Sequence, residues 1–326
     1  MASKTILVTG GCGFIGHNFI DFIHTYTNWR VINVDILTYA GATNHPMSDR
    51  HILWQANIGD SITIRNILNQ YRPNIIVNFA AETHVDRSIA KSQVFIDTNV
   101  VSTYNFIVEV QKYYEEVDPL VRFVHISTDE VFGDLELDEP GAFTENSLYQ
   151  PNNPYSATKA AGDHLIRAFQ RTYGLPAILT NCSNNYGPYQ FPEKFIPVII
   201  SKAMNDEQIP VYGKGANVRD WIYVEDHCSA IWDAAHGPIG ERYNIGSSNE
   251  IDNLSLVKLI LDRMGKPHSL ISFVEDRKGH DLRYAMNSSK IRKELGWKPK
   301  TSFDKGLDIT IEWYRNNSNW VNACKL

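Results

Sequence analysis

The chain is poor in the features that mark several protein classes. Its four cysteines, Cys12, Cys182, Cys228 and Cys324, lie far apart, with neither a Cys-x-x-Cys pair nor a Cys/His cluster at zinc spacing. A disulfide scaffold and a zinc module are therefore excluded, and reduced thiols in a cytosolic compartment are expected. An excess of basic residues is also missing: the formal net charge is -6, which argues against a general nucleic-acid surface and leaves room for a local basic pocket. No apolar run approaches membrane-spanning length, and Met1-Ala2-Ser3-Lys4 leads straight into the strand-like Thr5-Ile6-Leu7-Val8. Neither a signal peptide nor an anchor is expected, and the predicted setting is the cytoplasm. Internal repeats and low-complexity tracts are missing too. What is left is a chain of ordinary soluble composition, 43% hydrophobic and 21% charged, whose partner is expected to be a small molecule.

The first motif present is Gly10-Gly11-Cys12-Gly13-Phe14-Ile15-Gly16. A β-branched run precedes it, and Phe19, Ile20, Phe22 and Ile23 follow at helical spacing. A second strand, Arg30 to Val34, ends at Asp35, nineteen positions after Gly16. Strand, glycine turn, helix and distant acid form the context in which such glycines bind a dinucleotide. Glycines let the backbone approach a pyrophosphate, the helix N-terminus supplies N–H groups, and a carboxylate accepts from the ribose hydroxyls. Because Asp35 would repel a 2′-phosphate, NAD is favoured over NADP. The bland alternative is a tight turn with no ligand.

Strand-like runs at His51 to Gln55, Asn74 to Phe79, Arg122 to Ile126 and Ala177 to Thr180 alternate with amphipathic stretches such as Ile62 to Tyr71 and Val100 to Tyr113. This alternation predicts an α/β fold: a doubly wound parallel Rossmann sheet with a smaller α/β substrate-binding lobe. Residues 1–181 and 219–247 are assigned to the NAD-binding domain, and 182–218 and 248–326 to the lobe. Unusual polar residues cluster at the expected carboxyl ends of the strands: Ala80-Ala81-Glu82-Thr83, Ser127-Thr128-Asp129-Glu130 and Asn181-Cys182-Ser183-Asn184-Asn185. One crevice can collect them all.

Tyr155 and Lys159 are four apart on one predicted helical face. An ammonium there, aided by a cationic nicotinamide, would stabilise the phenolate and make Tyr155 a base for an alcohol. The alternative is an exposed helical pair. Asp129 and Glu130 are either a separate acid and base or a strand-ending turn, and for an isolated Asp-Glu the turn is the better reading. Arg219, His280, Arg277 and Lys194 are either diphosphate ligands or surface charges. His84 and Asp86 lack a third ligand in the sequence, so no metal site is expected.

Taken together, the glycine motif, Val34-Asp35, the run from Ala80 to Ser88, Ser127 to Val131, Tyr155 to Lys159, Asn181 to Pro188, Arg219-Asp220-Trp221 and Gly279-His280-Asp281 resemble the extended short-chain dehydrogenase/reductases. The Thr128-Asp129-Glu130 triplet narrows the resemblance to nucleotide-sugar 4,6-dehydratases of the dTDP-glucose type. The resemblance implies that Tyr155, with Thr128, oxidises sugar carbon 4 with NAD+; that Glu130 removes the carbon 5 proton while Asp129 protonates the leaving carbon 6 hydroxyl; and that hydride returns to carbon 6. Lys159 completes the catalytic set.

By the same resemblance, Gly10, Gly13, Phe14, Ile15, Gly16, Asp35, Thr38, Asn57, Ile58, Ala80, Ala81, Thr83, Thr98, Tyr155, Lys159 and Asn185 would line the NAD site. Thr83, Thr128, Asn184, Lys194, Pro210, Tyr212, Arg219, Asn253, Arg277 and His280 would meet the nucleotide sugar, dTDP-glucose or UDP-glucose. Asn57, Phe132 and Lys278 depart from the family pattern, where aspartate, tyrosine and proline are frequent. A homodimer through helices near Val100 to Tyr113 and Tyr155 to Tyr173 is implied. The competing readings are a nucleotide-sugar 4-epimerase or UDP-glucuronate decarboxylase, and an inactive NAD-sensing binding protein.

Overall fold

The structure is a computed structural model that describes residues 4–41, 45–118, 120–276 and 280–324. Among these, the strands in chain order are β1 Thr5–Thr9, β2 Arg30–Asp35, β3 His51–Gln55, β4 Ile75–Asn78, β5 Arg122–Thr128, β6 Ala177–Cys182, β7 Asn184–Tyr186, β8 Ile209–Tyr212, β9 Val218–Tyr223, β10 Arg242–Ile245, β11 Glu250–Asp252 and β12 Ile271–Val274. Seven of them form one sheet in the order β10-β6-β5-β4-β1-β2-β3, with every neighbouring pair parallel. This is the predicted doubly wound sheet. β1 is buried along its whole length, as expected of a strand covered by helices on both faces.

Chain order reverses between β1 and β4, and such a switch point opens a crevice at the strands' carboxyl ends. Helices Phe14–Tyr26 and Val224–His236 cover one face, burying Phe19, Ile20, Ile23, Ile231 and Ala234 against Ile6, Val8 and Val77. Helices Ser61–Tyr71, Thr103–Glu116 and Pro154–Tyr173 cover the other with Ile64, Ile67, Phe106, Val110 and Ile166.

Two element boundaries differ from expectation in ways that matter for the site. β5 continues two residues beyond Ile126, because Ser127 and Thr128 stay in parallel register with Asn181 and Cys182 of β6. Their polar side chains place them past the apolar run that ends at Ile126, yet the ladder still satisfies their backbone groups. A π-helical turn, Asp97–Ser102, precedes helix Thr103–Glu116. Its Asn99 clamps the exit of β4, accepting from the Glu82 N–H at 2.9 Å and donating to the Glu82 carbonyl at 3.0 Å.

Two small sheets stand beside the large one. β7 runs parallel to β9, which pairs antiparallel with β11, and β8 runs parallel to β12. Helices Phe195–Met204, Asn253–Met264 and Phe303–Asn316 pack around Tyr186, Ile209, Val211 and Trp221 as a second apolar core. β10, although late in sequence, hydrogen-bonds to β6 in the large sheet.

Candidate active site

The glycine turn leaves β1 through Gly10, whose φ of +69° is a left-handed conformation that favours glycine. A Cβ on Gly10 would also lie 2.7 Å from the Ala80 nitrogen, and one on Gly16 would overlap the Gly10 carbonyl oxygen. Gly13 caps helix Phe14–Tyr26 with no side-chain acceptor, so the first-turn N–H groups remain for an anion. At the end of β2 the Asp35 carboxylate accepts from the Cys12 and Leu37 N–H groups at 2.9 and 2.8 Å. This pins its orientation, while its remaining lone pairs can still receive ribose hydroxyls.

These groups open onto a cavity of about 570 Å³. All sixteen residues predicted for the NAD site line it: Gly10, Gly13, Phe14, Ile15, Gly16, Asp35, Thr38, Asn57, Ile58, Ala80, Ala81, Thr83, Thr98, Tyr155, Lys159 and Asn185. Three buried side-chain oxygens on its wall, Asp129 Oδ2, Ser183 Oγ and Asn184 Oδ1, have no hydrogen-bond partner among the described residues. Unpaired buried polar atoms cost free energy unless a ligand or water meets them. The tight glycine cradle, the fixed carboxylate and these oxygens fit a dinucleotide.

A second cavity of about 340 Å³ adjoins the first and shares Thr83, Glu130, Asn184, Asn185, Gln190, Glu193 and Lys194 with it. Of the predicted sugar-nucleotide residues, Thr83, Asn184, Lys194, Pro210, Tyr212, Arg219, Asn253 and His280 line this space, and Thr128 lines the larger one. Arg277 and Lys278 lie outside the described residues. The Arg219 guanidinium donates to the carbonyls of Val218, Asp281 and Leu282 and stacks 4.2 Å from the Tyr284 ring centre. Lys194 Nζ donates to the Thr83 carbonyl at 3.0 Å.

Thr128 and Asp129 line the larger cavity, and Glu130 lines both. Thr128 Oγ1 donates to Asp129 Oδ1 at 3.0 Å and accepts from the Glu130 N–H at 3.3 Å. A short 3-10 turn, Asp129–Phe132, begins with the two carboxylates. Burial pushes the Asp129 carboxyl up to about 8, reinforced by the neighbouring charge of Glu130. Burial raises Glu130 as well, but there the next influence is the Arg219 cation, which pulls it back down. Arg219 opposes the rise of Asp129 as well, but there it ranks behind burial, Glu130 and the Thr128 hydrogen bond, so the two carboxyls sit in different surroundings with different tasks available.

Tyr155 and Lys159 lie on helix Pro154–Tyr173, which Pro154 and the Asn153/Ser156 capping box start. Both are buried. The expectation that the ammonium lowers the tyrosine pKa is not met by the chain's own groups. Burial, then the charge of Glu130, raises Tyr155 well above its ordinary value, and a Thr128 hydrogen bond only partly opposes this. Lys159 Nζ instead donates to the Ile126 carbonyl at 2.7 Å, and burial lowers its pKa against the pull of Asp163.

Several polar contacts around the site escaped the sequence reading. Asp163, one turn beyond Lys159, accepts from Ser127 Oγ at 2.8 Å and Tyr149 OH at 2.7 Å and is fully buried. The same four-residue spacing that linked Tyr155 to Lys159 would have reached it. Asn153 Nδ2 lies 3.5 Å from Glu130 Oε2, a contact that only the folded chain brings about. Asn57 Oδ1 accepts from the Gly59 N–H at 2.7 Å, so the amide oxygen expected to meet adenine already has a backbone donor. Phe132 is buried, stacked 5.2 Å from Phe143. His84 accepts from the Arg87 N–H and lies 3.6 Å from Glu193.

Residues 7–310 match the family described as GDP-mannose 4,6 dehydratase. The dTDP-glucose 4,6-dehydratase of Xanthomonas campestris pv. campestris strain B100 is 49% identical over 98% of this chain and 95% of its own length. Among solved structures, DesIV, a dTDP-glucose 4,6-dehydratase from Streptomyces venezuelae determined with NAD bound, superposes with a TM-score of 0.93 at 41% identity, covering 98% of this chain and all of its own. The UDP-glucose 4-epimerase of Thermotoga maritima superposes with a TM-score of 0.89 at 27% identity, covering 97% of this chain and all of its own.

Proposed function

Since the chain belongs to the GDP-mannose 4,6-dehydratase family, we propose that it catalyses the NAD-dependent dehydration of dTDP-glucose to the 4-keto-6-deoxy sugar. The observation that carries this reading is the adjacent carboxyl pair on the cavity wall, with burial and Glu130 pushing Asp129 up to about 8 and Arg219 opposing the rise of both. An epimerase needs no such acid and base. Bound NAD supplies a hydride acceptor for carbon 4 and a hydride donor for carbon 6.

The remaining chemistry falls to the chain. Tyr155 removes the carbon 4 hydroxyl proton, with Thr128 bonding the same oxygen. The carbon 4 ketone acidifies the carbon 5 hydrogen, which Glu130 takes. Asp129 protonates the carbon 6 hydroxyl, which leaves as water. Asp35 holds the adenosine ribose, Gly10 to Gly16 the pyrophosphate, and Lys159 anchors the Tyr155 helix against β5. Lys194, Arg219 and His280 flank the diphosphate and deoxynucleoside, with Asn184, Pro210, Tyr212 and Asn253 lining the same cavity.

The division into an NAD-binding domain of 1–181 and 219–247 and a lobe of 182–218 and 248–326 belongs to this proposal, as does a cytoplasmic setting. No helix among the described residues is long and apolar enough to cross a membrane. A homodimer is proposed through helices Thr103–Glu116 and Pro154–Tyr173. Its support is an aromatic strip across both: Tyr104 and Tyr173, 46% and 56% exposed, flank Phe169, whose ring centre lies 6.2 and 5.0 Å from theirs. Incubation with NAD+ and dTDP-glucose is the test of the reaction. A product lighter by one water supports it, and an unchanged mass refutes it.

A further inference from the structure

A cluster of imidazoles lies outside both cavities. His17 and Asp21 sit one turn apart on helix Phe14–Tyr26, and His45 reaches them from the segment between β2 and β3. Their ligating atoms lie within 4.8 Å of one another. His45 Nε2 is 2.8 Å from Asp21 Oδ1, His17 Nε2 is 3.7 Å from Asp21 Oδ2, and the two imidazole rings lie tilted to each other with centres 3.8 Å apart. His51, the first residue of β3, brings a fourth side chain, its ring centre 5.2 Å from that of His45. None of these residues lines either cavity.

Burial sets this cluster apart from a chance surface group. The His17 side chain is 2% exposed and that of His45 10%, while Asp21, at 52%, keeps the cluster open to solvent. Two buried nitrogens, His17 Nδ1 and His51 Nε2, have no hydrogen-bond partner among the described residues. Packing several imidazoles around one carboxylate desolvates polar atoms without pairing all of them, which is costly unless something else meets them.

We propose that His17, Asp21 and His45 bind one divalent transition-metal ion of the zinc class, with His51 or water at the fourth position. Two imidazole nitrogens and a carboxylate oxygen make a borderline donor set suited to zinc, whereas calcium and magnesium require mostly oxygen ligands. The ligand atoms need only close around the ion from their present spacing. Neutral imidazoles are the ligating form, so zinc binding should weaken as pH falls. The ion would tie helix Phe14–Tyr26, which carries the glycine cradle, to the segment carrying Thr38. It would thus staple two walls of the larger cavity without entering the reaction.

The test uses tag-free, full-length protein stripped with a chelator and then freed of it. Zinc is titrated by calorimetry, and thermal unfolding is followed with and without zinc. One ion per chain and a higher unfolding temperature are expected. His45→Ala and Asp21→Asn should each weaken zinc binding about tenfold or more and lose the zinc-dependent rise in unfolding temperature, while keeping turnover at saturating NAD+, since neither residue lines the cavities of the proposed site. His268→Ala, at an exposed histidine elsewhere, should bind zinc as the parent does. Absence of saturable binding, or equal affinity in the parent, His45→Ala and Asp21→Asn, would overturn the proposal.

Discussion

Replacing Asp129 with asparagine removes the proton donor while keeping shape and the contact with Thr128. At an ordinary carboxyl pKa of about 4, only about one molecule in a thousand would be protonated at pH 7. With the carboxyl pushed up to about 8, roughly nine in ten are. Burial beside Glu130 thus raises the acid-competent fraction by nearly three orders of magnitude. Loss of a positioned general acid costs about 10²–10⁴ in rate, or roughly 3–5 kcal/mol of barrier. The variant should still oxidise carbon 4, so reduced nicotinamide absorbance builds up after mixing with dTDP-glucose, while release of the dehydrated product falls by that factor.

The parent's pH profile checks the same point independently. Because the raised carboxyl is active when protonated, elimination should weaken as pH rises through about 8, by roughly tenfold between pH 7 and pH 9. A variant with parental turnover, or a parent profile flat across that window, would refute the assignment of Asp129 as the acid.

Three other substitutions probe the surrounding account. Gly16→Ala drives a Cβ into the Gly10 carbonyl and should cost about 1–3 kcal/mol, read as a lower unfolding temperature with weakened NAD binding; a parental variant would contradict the tight cradle. Asn57→Asp should tighten NAD binding about fivefold in calorimetry, the worth of one net hydrogen bond, because an aspartate can satisfy the Gly59 N–H and still turn an acceptor to the adenine amine. Weaker or unchanged binding would count against it. Tyr104→Asp should shift the protein to monomer in sedimentation analysis; no change would dismiss the proposed dimer face.

The sheet was legible in the sequence because its signals are local. β-branched runs, the glycine turn and helical spacing after Phe14 each need only a few neighbours, and the central strands are buried enough to read as apolar runs. The run at Arg122 to Ile126 stops two residues short of the strand's end because the polarity of Ser127 and Thr128 hides their place in the ladder beside Asn181 and Cys182. The π-helical turn at Asp97–Ser102 has no sequence signature of its own, and Asn99 acts there across seventeen positions on Glu82. The site divides the same way. Gly10, Gly16 and Asp35 follow from spacing, but the environments of Asp129 and Glu130 depend on burial and on Arg219, about ninety positions later. In the chain alone Tyr155 is raised by burial and by Glu130, neither of which can be read from a four-residue spacing.

The central claim is that the carboxyl pair performs an elimination across carbons 5 and 6. It is tested most directly by turning over dTDP-glucose in heavy water and locating the label. Removal of the carbon 5 proton by Glu130, followed by reprotonation from solvent, predicts a 4-keto-6-deoxy product lighter than substrate by the elements of water and carrying one deuterium at carbon 5. A sugar of unchanged formula, or a dehydrated product without deuterium at carbon 5, would contradict it.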